Sequence, residues 1–401
     1  MRIQWWLHRK KLIILFLLFF FPLILIARSS GKTSDFFINK NGELYEYKGT
    51  AAVVKIPKGV KSIEKFVFEN HKEIKEIVIP RGVTEINSAA FGGCTNLTKV
   101  TLPDTLVLID SFAFEKCTNI TSIIIPQKVK FIGNNCFRQC SKLKSVTIKG
   151  SITKIPSYTF SDCVNLTTVK LPKSVKTIEF NAFYECESLK FIELQEGLVE
   201  IQSSAFEGCK SLVSINIPTT TRKIGKSAFY GCSSLKSISL PSGMKRVSSE
   251  VFRFCTDLTS VTLPSTLKSI GSEAFASCYK LEKIKIPSKV MSIAPGAFKE
   301  CNSLTKVILP ESVISLGFEA FQSGEKLNEV YLSSGIEEIE KYTFAYCHNL
   351  ATVNIPKKVT KIGENAFYGC DALEIFTLPD TVVTIGENAF AFTGLKYDNK
   401  R

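Results

Sequence analysis

Apolar and polar positions along this chain repeat with one period. Phenylalanine recurs at Phe68, Phe91, Phe114, Phe137, Phe160, Phe183, Phe206, Phe229, Phe252, Phe275, Phe298, Phe321, Phe344, Phe367 and Phe390. Each lies 23 residues after the last, with no insertion or deletion. Three residues beyond it stands a cysteine in twelve of the fifteen repeats, replaced by His71, Gly324 and Thr393 in the others. A proline recurs with the same spacing, as at Pro103, Pro126 and Pro172, and gives way to Lys149, Gln195 and Ser333 in three repeats.

Within one repeat, Leu97, Val100 and Leu102 contain an alternating step that ends at Pro103. Proline cannot donate to a ladder, so this reads as a short strand closed by proline. The position of Ile109 is Ile, Val or Leu in every repeat. The Ala113-Phe114 pair follows four residues later, a spacing that predicts a single helical or 3₁₀ turn. A unit of 23 residues cannot bury about seven apolar positions alone, but stacked neighbours can. Burial of each large side chain stabilises by roughly 1.5–3 kcal/mol. At about 4.8 Å per strand, fifteen repeats would span on the order of 70 Å.

The ends differ. Residues 12–27 are sixteen uncharged, mostly apolar residues behind His8-Arg9-Lys10-Lys11. Positive flank, apolar core and the small residues of Ala27-Arg28-Ser29 form the order of a secretory signal. A retained single-pass anchor is the alternative, although sixteen residues fall short of the about 20 that usually span a bilayer. Either way the rest is expected to be translocated, secreted or held at the cell surface. Asn41-Gly42 between apolar runs predicts a hairpin over residues 36–47. The expected organisation is therefore a signal or anchor over 1–29, a linker and hairpin cap over 30–47, the repeat body over 48–395 and a tail over 396–401. The last repeat is expected to expose apolar surface suited to end-to-end association, unless the tail covers Phe390 and Leu395.

The repeat Cys-x-x-Leu-x-x-Val-x-Leu-Pro-x-x-Leu-x-x-Ile-Gly-x-x-Ala-Phe resembles the BspA-like, or Treponema-type, class of leucine-rich repeats. Cys278 through Phe298 and Cys347 through Phe367 carry it, with Ala294 in the Gly position of the first. The resemblance covers about 350 of the 401 residues. It implies a leucine-rich-repeat solenoid of about 15 repeats. Parallel strands would form one face, with short strands and helical or 3₁₀ turns on the other. It also implies a secreted or surface-anchored protein engaged in adhesion, binding a matrix protein, a cell-surface protein or a glycan. The alternative is a scaffolding protein of a secretory lumen or cell envelope with no foreign ligand. The family supplies no catalytic residues, and surface retention is expected to rest on the amino-terminal segment, since no cell-wall or carboxy-terminal anchor is read in these residues.

Composition narrows the chemistry. Hydrophobic residues make up 45% and charged residues 22%, as in ordinary folded proteins. Three histidines are too few for a His-built centre, and His71 and His348 stand about twelve repeats apart. No phosphate-binding Gly loop, Cys-x-x-Cys or His-Glu-x-x-His occurs. No enzyme, cofactor or metal site is expected. The thirteen cysteines read as buried packing thiols, with disulfides or metal as alternatives. Net charge is +14, of which the first 32 residues carry +6, leaving +8 for the body. That modest excess suits weak attraction to anionic surfaces and not nucleic acid, which needs denser cations among aromatics. Membrane contact is expected only through the amino-terminal segment.

The outward strand positions form a Ser/Thr/Lys carpet, including Lys99, Thr101, Lys144, Thr147, Lys170, Lys283, Lys285 and Lys306. Such residues also suit any solvated strand. Phe191 and Tyr331 are large aromatics in those positions and are the expected anchors. Asn96, Asn119 and Asn165 lie in sequons at one edge of the repeat and are candidate glycosylation sites.

Overall fold

A computed structural model describes residues 34–375 and 377–395. The signal or anchor segment and the tail from 396 lie outside those residues. Among them, no helix is long and apolar enough to cross a membrane.

The repeats form coils of a solenoid. In each well-ordered coil a strand of three or four residues, such as Lys99–Thr101, precedes the proline. A two-residue strand follows, as at Leu108–Ile109. Both kinds stack in parallel with partners one period away: Ile77 opposes Val100, and Ile86 opposes Ile109. The alternation dictated by the pleat puts Val169 inside and Thr168 and Lys170 outside. At the amino end, β1 (Phe36–Ile38) and β2 (Glu43–Tyr47) form an antiparallel hairpin, with Gly42 at φ +85° in its turn. β2 then pairs in parallel with Ser62–Ile63 and starts the stack. Both stacks are broken at intervals, each into four sheets.

The core is a set of ladders. Successive Phe rings from Phe68 to Phe390 stack face to face, with centroids 5.1–5.8 Å apart and planes within 18°. Tyr47 covers the first ring, 5.0 Å from Phe68. All thirteen cysteines are free and buried.

The expected helical or 3₁₀ turn is not what carries the Ala-Phe pair. No residue described is helical. Backbone donors alternate instead. Ala113, Glu115 and Cys117 bond back three residues to Asp110, Phe112 and Phe114. Phe112, Phe114 and Lys116 bond forward to Asn134, Cys136 and Arg138 in the next coil, at 2.8–3.0 Å. A helix would keep every donor within its own turn, leaving the coil edge unpaired and buried. To aim every second donor outward, the chain enters the left-handed region two residues before and two after each ladder Phe. Phe112 has φ +60° and Lys116 +58°. This recurs in all fifteen coils, and only five of these thirty residues are glycine. The left-handed conformation costs an L-residue about 1–2 kcal/mol, which the third ladder of inter-coil bonds offsets.

Candidate binding face

The longer strands present one face of the solenoid, and Lys99, Thr101, Thr147, Lys170, Lys306 and Tyr331 of the expected site residues lie on them. Three consecutive coils contribute Lys283 and Lys285, then Lys306, then Tyr331. Lys306–Ile308 pairs with Glu329–Tyr331, which sets Ile308 directly beside Tyr331. Ile308 is 59% exposed and Tyr331 39%. Lys306 Nζ lies 2.7 Å from Glu329 Oε2 and 5.0 Å from the Tyr331 ring centroid. The Tyr331 hydroxyl donates to the same carboxylate at 3.3 Å. The bond from Lys306 lowers the Glu329 pKa, and the same bond raises that of Lys306. Lys283 and Lys285 make no ion pair among the described residues. No ladder joins Lys306–Ile308 to the coil before it. There, Ile284, Lys285, Ile286, Lys306, Ile308 and Pro310 line a shallow depression.

A second group lies on earlier coils. Lys99, Thr101, Lys144 and Lys170 are exposed, while Thr147 is half-buried. Lys99 is bound to Glu76 at 2.8 Å. Between Lys99–Thr101 and Ser122–Ile125 the sheet is again interrupted, and Ile124 stands 57% exposed in the resulting depression. Phe191 belongs to neither group. It is 48% exposed on a coil that forms no long strand. About six coils, on the order of 30 Å, separate it from Tyr331, so the two expected anchors do not share one site.

Ile308 and Ile124 are absent from the sequence-derived set. Each hides in a continuous apolar run, Val307-Ile308-Leu309-Pro310 or Ile123-Ile124-Ile125-Pro126. Only the inward-outward alternation, counted from the ladder Phe, separates the exposed member from its buried neighbours.

The sequon asparagines have a local task. Asn96, Asn119 and Asn165 each donate Nδ2–H to a backbone carbonyl of the preceding coil, at 2.7–2.8 Å. His71 Nδ1 meets Glu73 at 2.5 Å, and His348 Nδ1 meets Asp371 at 2.9 Å. No cluster of three or more His, Cys, Asp or Glu among the described residues is placed to hold a metal ion. The last described coil leaves Val383 and Phe392 exposed, at 82% and 70%.

Residues 42–167, 153–282 and 268–396 match the family model described as BspA type leucine rich repeat region (6 copies). A leucine-rich repeat protein from Bacteroides ovatus superposes with a TM-score of 0.75 at 29% identity, covering 89% of this chain and all of that one. A leucine rich cell surface protein from Faecalibacterium prausnitzii superposes with a TM-score of 0.55 at 26% identity, over 82% of this chain and 95% of that one. No curated protein matches in sequence.

Proposed function

Because the chain belongs to the BspA-type leucine-rich repeat family, commonly surface proteins, we propose that it is a surface-exposed or secreted binding protein. It grips another macromolecule through its long-strand face, as an adhesin would. The fold and family are those of binding repeats and generally non-enzymatic. The observation that carries the reading is the pair Ile308 and Tyr331, exposed side by side and flanked by Lys283, Lys285 and Lys306. An apolar centre with a charged rim is the composition of a protein-binding hot spot. The favoured partner is therefore a protein surface, such as a matrix or cell-surface protein, with acidic groups around an apolar pocket. Glycan on Asn96 or Asn165, both exposed, would accompany translocation in a glycosylating host.

Protease shaving of intact cells tests the location. Loss of the repeat body places it outside. Protection until permeabilisation would remove host adhesion and leave a scaffold of a lumen or envelope. The face is tested by Ile308→Ser with Tyr331→Ala, measured as attachment to immobilised matrix proteins. Attachment should fall with thermal stability unchanged, and unchanged attachment would reject this face.

A further inference from the structure

The opposite, short-strand side carries a feature the proposed protein-binding face does not use. Arg222, Lys245 and Lys268 occupy the same position on three consecutive coils, and Lys223 and Arg246 occupy the next position on two of them. All five are exposed. They gather where the stack is broken. Lys223–Ile224 closes one four-stranded sheet and Arg246–Val247 opens the next. Lys268 N–H reaches the Lys245 carbonyl at 2.8 Å, and among the described residues Lys245 N–H makes no such bond to Arg222. The gap is a cleft whose lining includes Arg222 and Lys223 from one coil and Gly243, Lys245 and Arg246 from the next.

The cleft is held in shape. Arg222 Nη1 donates to the carbonyls of Thr219 at 2.7 Å and Thr221 at 3.2 Å. Its guanidinium lies where a side chain at residue 243 would stand: a Cβ there would come within 2.7 Å of Arg222 Cδ and Nη1. Gly243 thus makes room for the arginine. Only Lys223 is neutralised, by Glu200 at 2.7 Å. Arg222, Lys245, Arg246 and Lys268 make no ion pair among the described residues. Cations stacked one coil apart, about 4.8 Å, repel one another, and a cleft of one sign concentrates counter-ions.

We infer that this cleft binds a linear sulfated polysaccharide. Guanidinium and ammonium groups in hydrogen-bonding range suit sulfate oxygens. A single small anion cannot span three coils, whereas a chain bearing sulfates at intervals can follow the row from Arg222 to Lys268. Nucleic acid fits less well, because no aromatic side chain lines the cleft to stack a base.

Binding of a size-defined heparin oligosaccharide to the full chain tests this, with uncharged dextran and a single-stranded oligonucleotide as companions. The variant Lys245→Glu/Arg246→Glu/Lys268→Glu should weaken heparin binding at least 30-fold and flatten its salt dependence. The matched variant Lys144→Glu/Lys170→Glu/Lys283→Glu, on the other face, should change it less than 3-fold. If the reversed variant unfolds, Lys245→Gln/Arg246→Gln keeps the test, with an expected loss of about 10-fold. No heparin binding by the parent chain, equal losses on both faces, or equally tight oligonucleotide binding through the same residues would each overturn the assignment.

Discussion

The thiol of Cys117 donates to the carbonyl oxygen of Phe91, one coil earlier, at 3.1 Å. That oxygen also accepts the backbone N–H of Cys94 at 3.2 Å, so both its lone pairs are used. All twelve ladder cysteines repeat the contact, at 3.0–3.3 Å. Cysteine is the residue that is small enough for the position, apolar enough to be buried, and still able to donate. Its role is to join coils. Thiols so placed should be silent: a disulfide-exchange reagent at pH 8 should label almost none of the thirteen in the folded chain and nearly all in denaturant. Rapid labelling of several in the folded state would mean that the coils open far more readily than this packing implies.

The same burial makes stability depend on alkaline pH. Desolvation pushes the thiols of Cys94, Cys140 and Cys347 from the ordinary 9.0 up to about 12, and raises the other ladder cysteines too. A pKa raised on folding gives stability that is complete below the unfolded value and is lost as pH rises through the folded one. Between pH 9 and 12 the unfolded chain sheds protons that the folded chain keeps. The loss is about 1.4 kcal/mol per pH unit for each thiol. Urea midpoints at pH 8, 9 and 10 should therefore fall steeply. Cys140→Ala/Cys163→Ala should start lower but fall less steeply; parallel slopes would refute the linkage.

Two glycines should respond unequally to a side chain. A Cβ on Gly363 would lie 2.5 Å from the backbone nitrogen of Lys341 in the coil before. Gly231 has φ +68°, but nothing stands within 3.8 Å of its Cβ position. Gly363→Ala should cost about 1–3 kcal/mol through overpacking against a backbone that must move. Gly231→Asn, whose left-handed conformation asparagine tolerates, should cost under about 1 kcal/mol. Thermal melts of the two variants rank them, and the reverse order would contradict the coil spacing.

Because Phe191 and Tyr331 sit about six coils apart, they should contribute to binding independently. If one partner spans both, the free-energy losses of Phe191→Ala and Tyr331→Ala should add within about 0.5 kcal/mol. If the partner covers only the Ile308 patch, Phe191→Ala should change nothing. A marked coupling between the two in a double-mutant cycle would require the coils between them to rearrange.

The period, the strand positions and the Phe ladder were legible in the sequence because stacking forces one slot to hold one kind of residue in every coil. The left-handed turns were not. Their conformation is imposed by bonds to the next coil, and the slots hold Phe112, Lys116, Asn135, Gln139 and Tyr158 without a common signature. The exposed lysines could be read from their charge, whereas Ile308, enclosed by Val307 and Leu309 in an apolar run, shows its outward position only when the 23-residue register is carried over from Lys285. The sheet interruptions that form the clefts at Ile308 and Arg222 left no mark in the repeat at all.

Of the three coils without a thiol, the one at Gly324 lies between two that keep theirs, and it gives the sharpest test of the ladder. Gly324 stands where Cys301 and Cys347 stand on either side, so the carbonyl of Phe298 has no Sγ partner of the kind that serves its neighbours. A Cβ at Gly324 would meet Leu327 Cβ at 3.3 Å, Phe321 O at 3.4 Å and Cys347 Sγ at 3.6 Å. These are close contacts, and the backbone carrying Leu327 must give by a few tenths of an ångström to admit the new atom. Gly324→Cys would supply the donor, bury a small apolar side chain and reduce the freedom of the unfolded chain. The last effect alone is worth about 0.4–1 kcal/mol, and a net hydrogen bond adds about 0.5–1.5 kcal/mol. The variant should therefore melt higher than the parent, with Gly324→Ala in between because it restores the packing without the donor. If Gly324→Ala equals or exceeds Gly324→Cys, the thiol contributes volume alone. If both melt lower, this coil has closed around its glycine and the ladder is not uniform there.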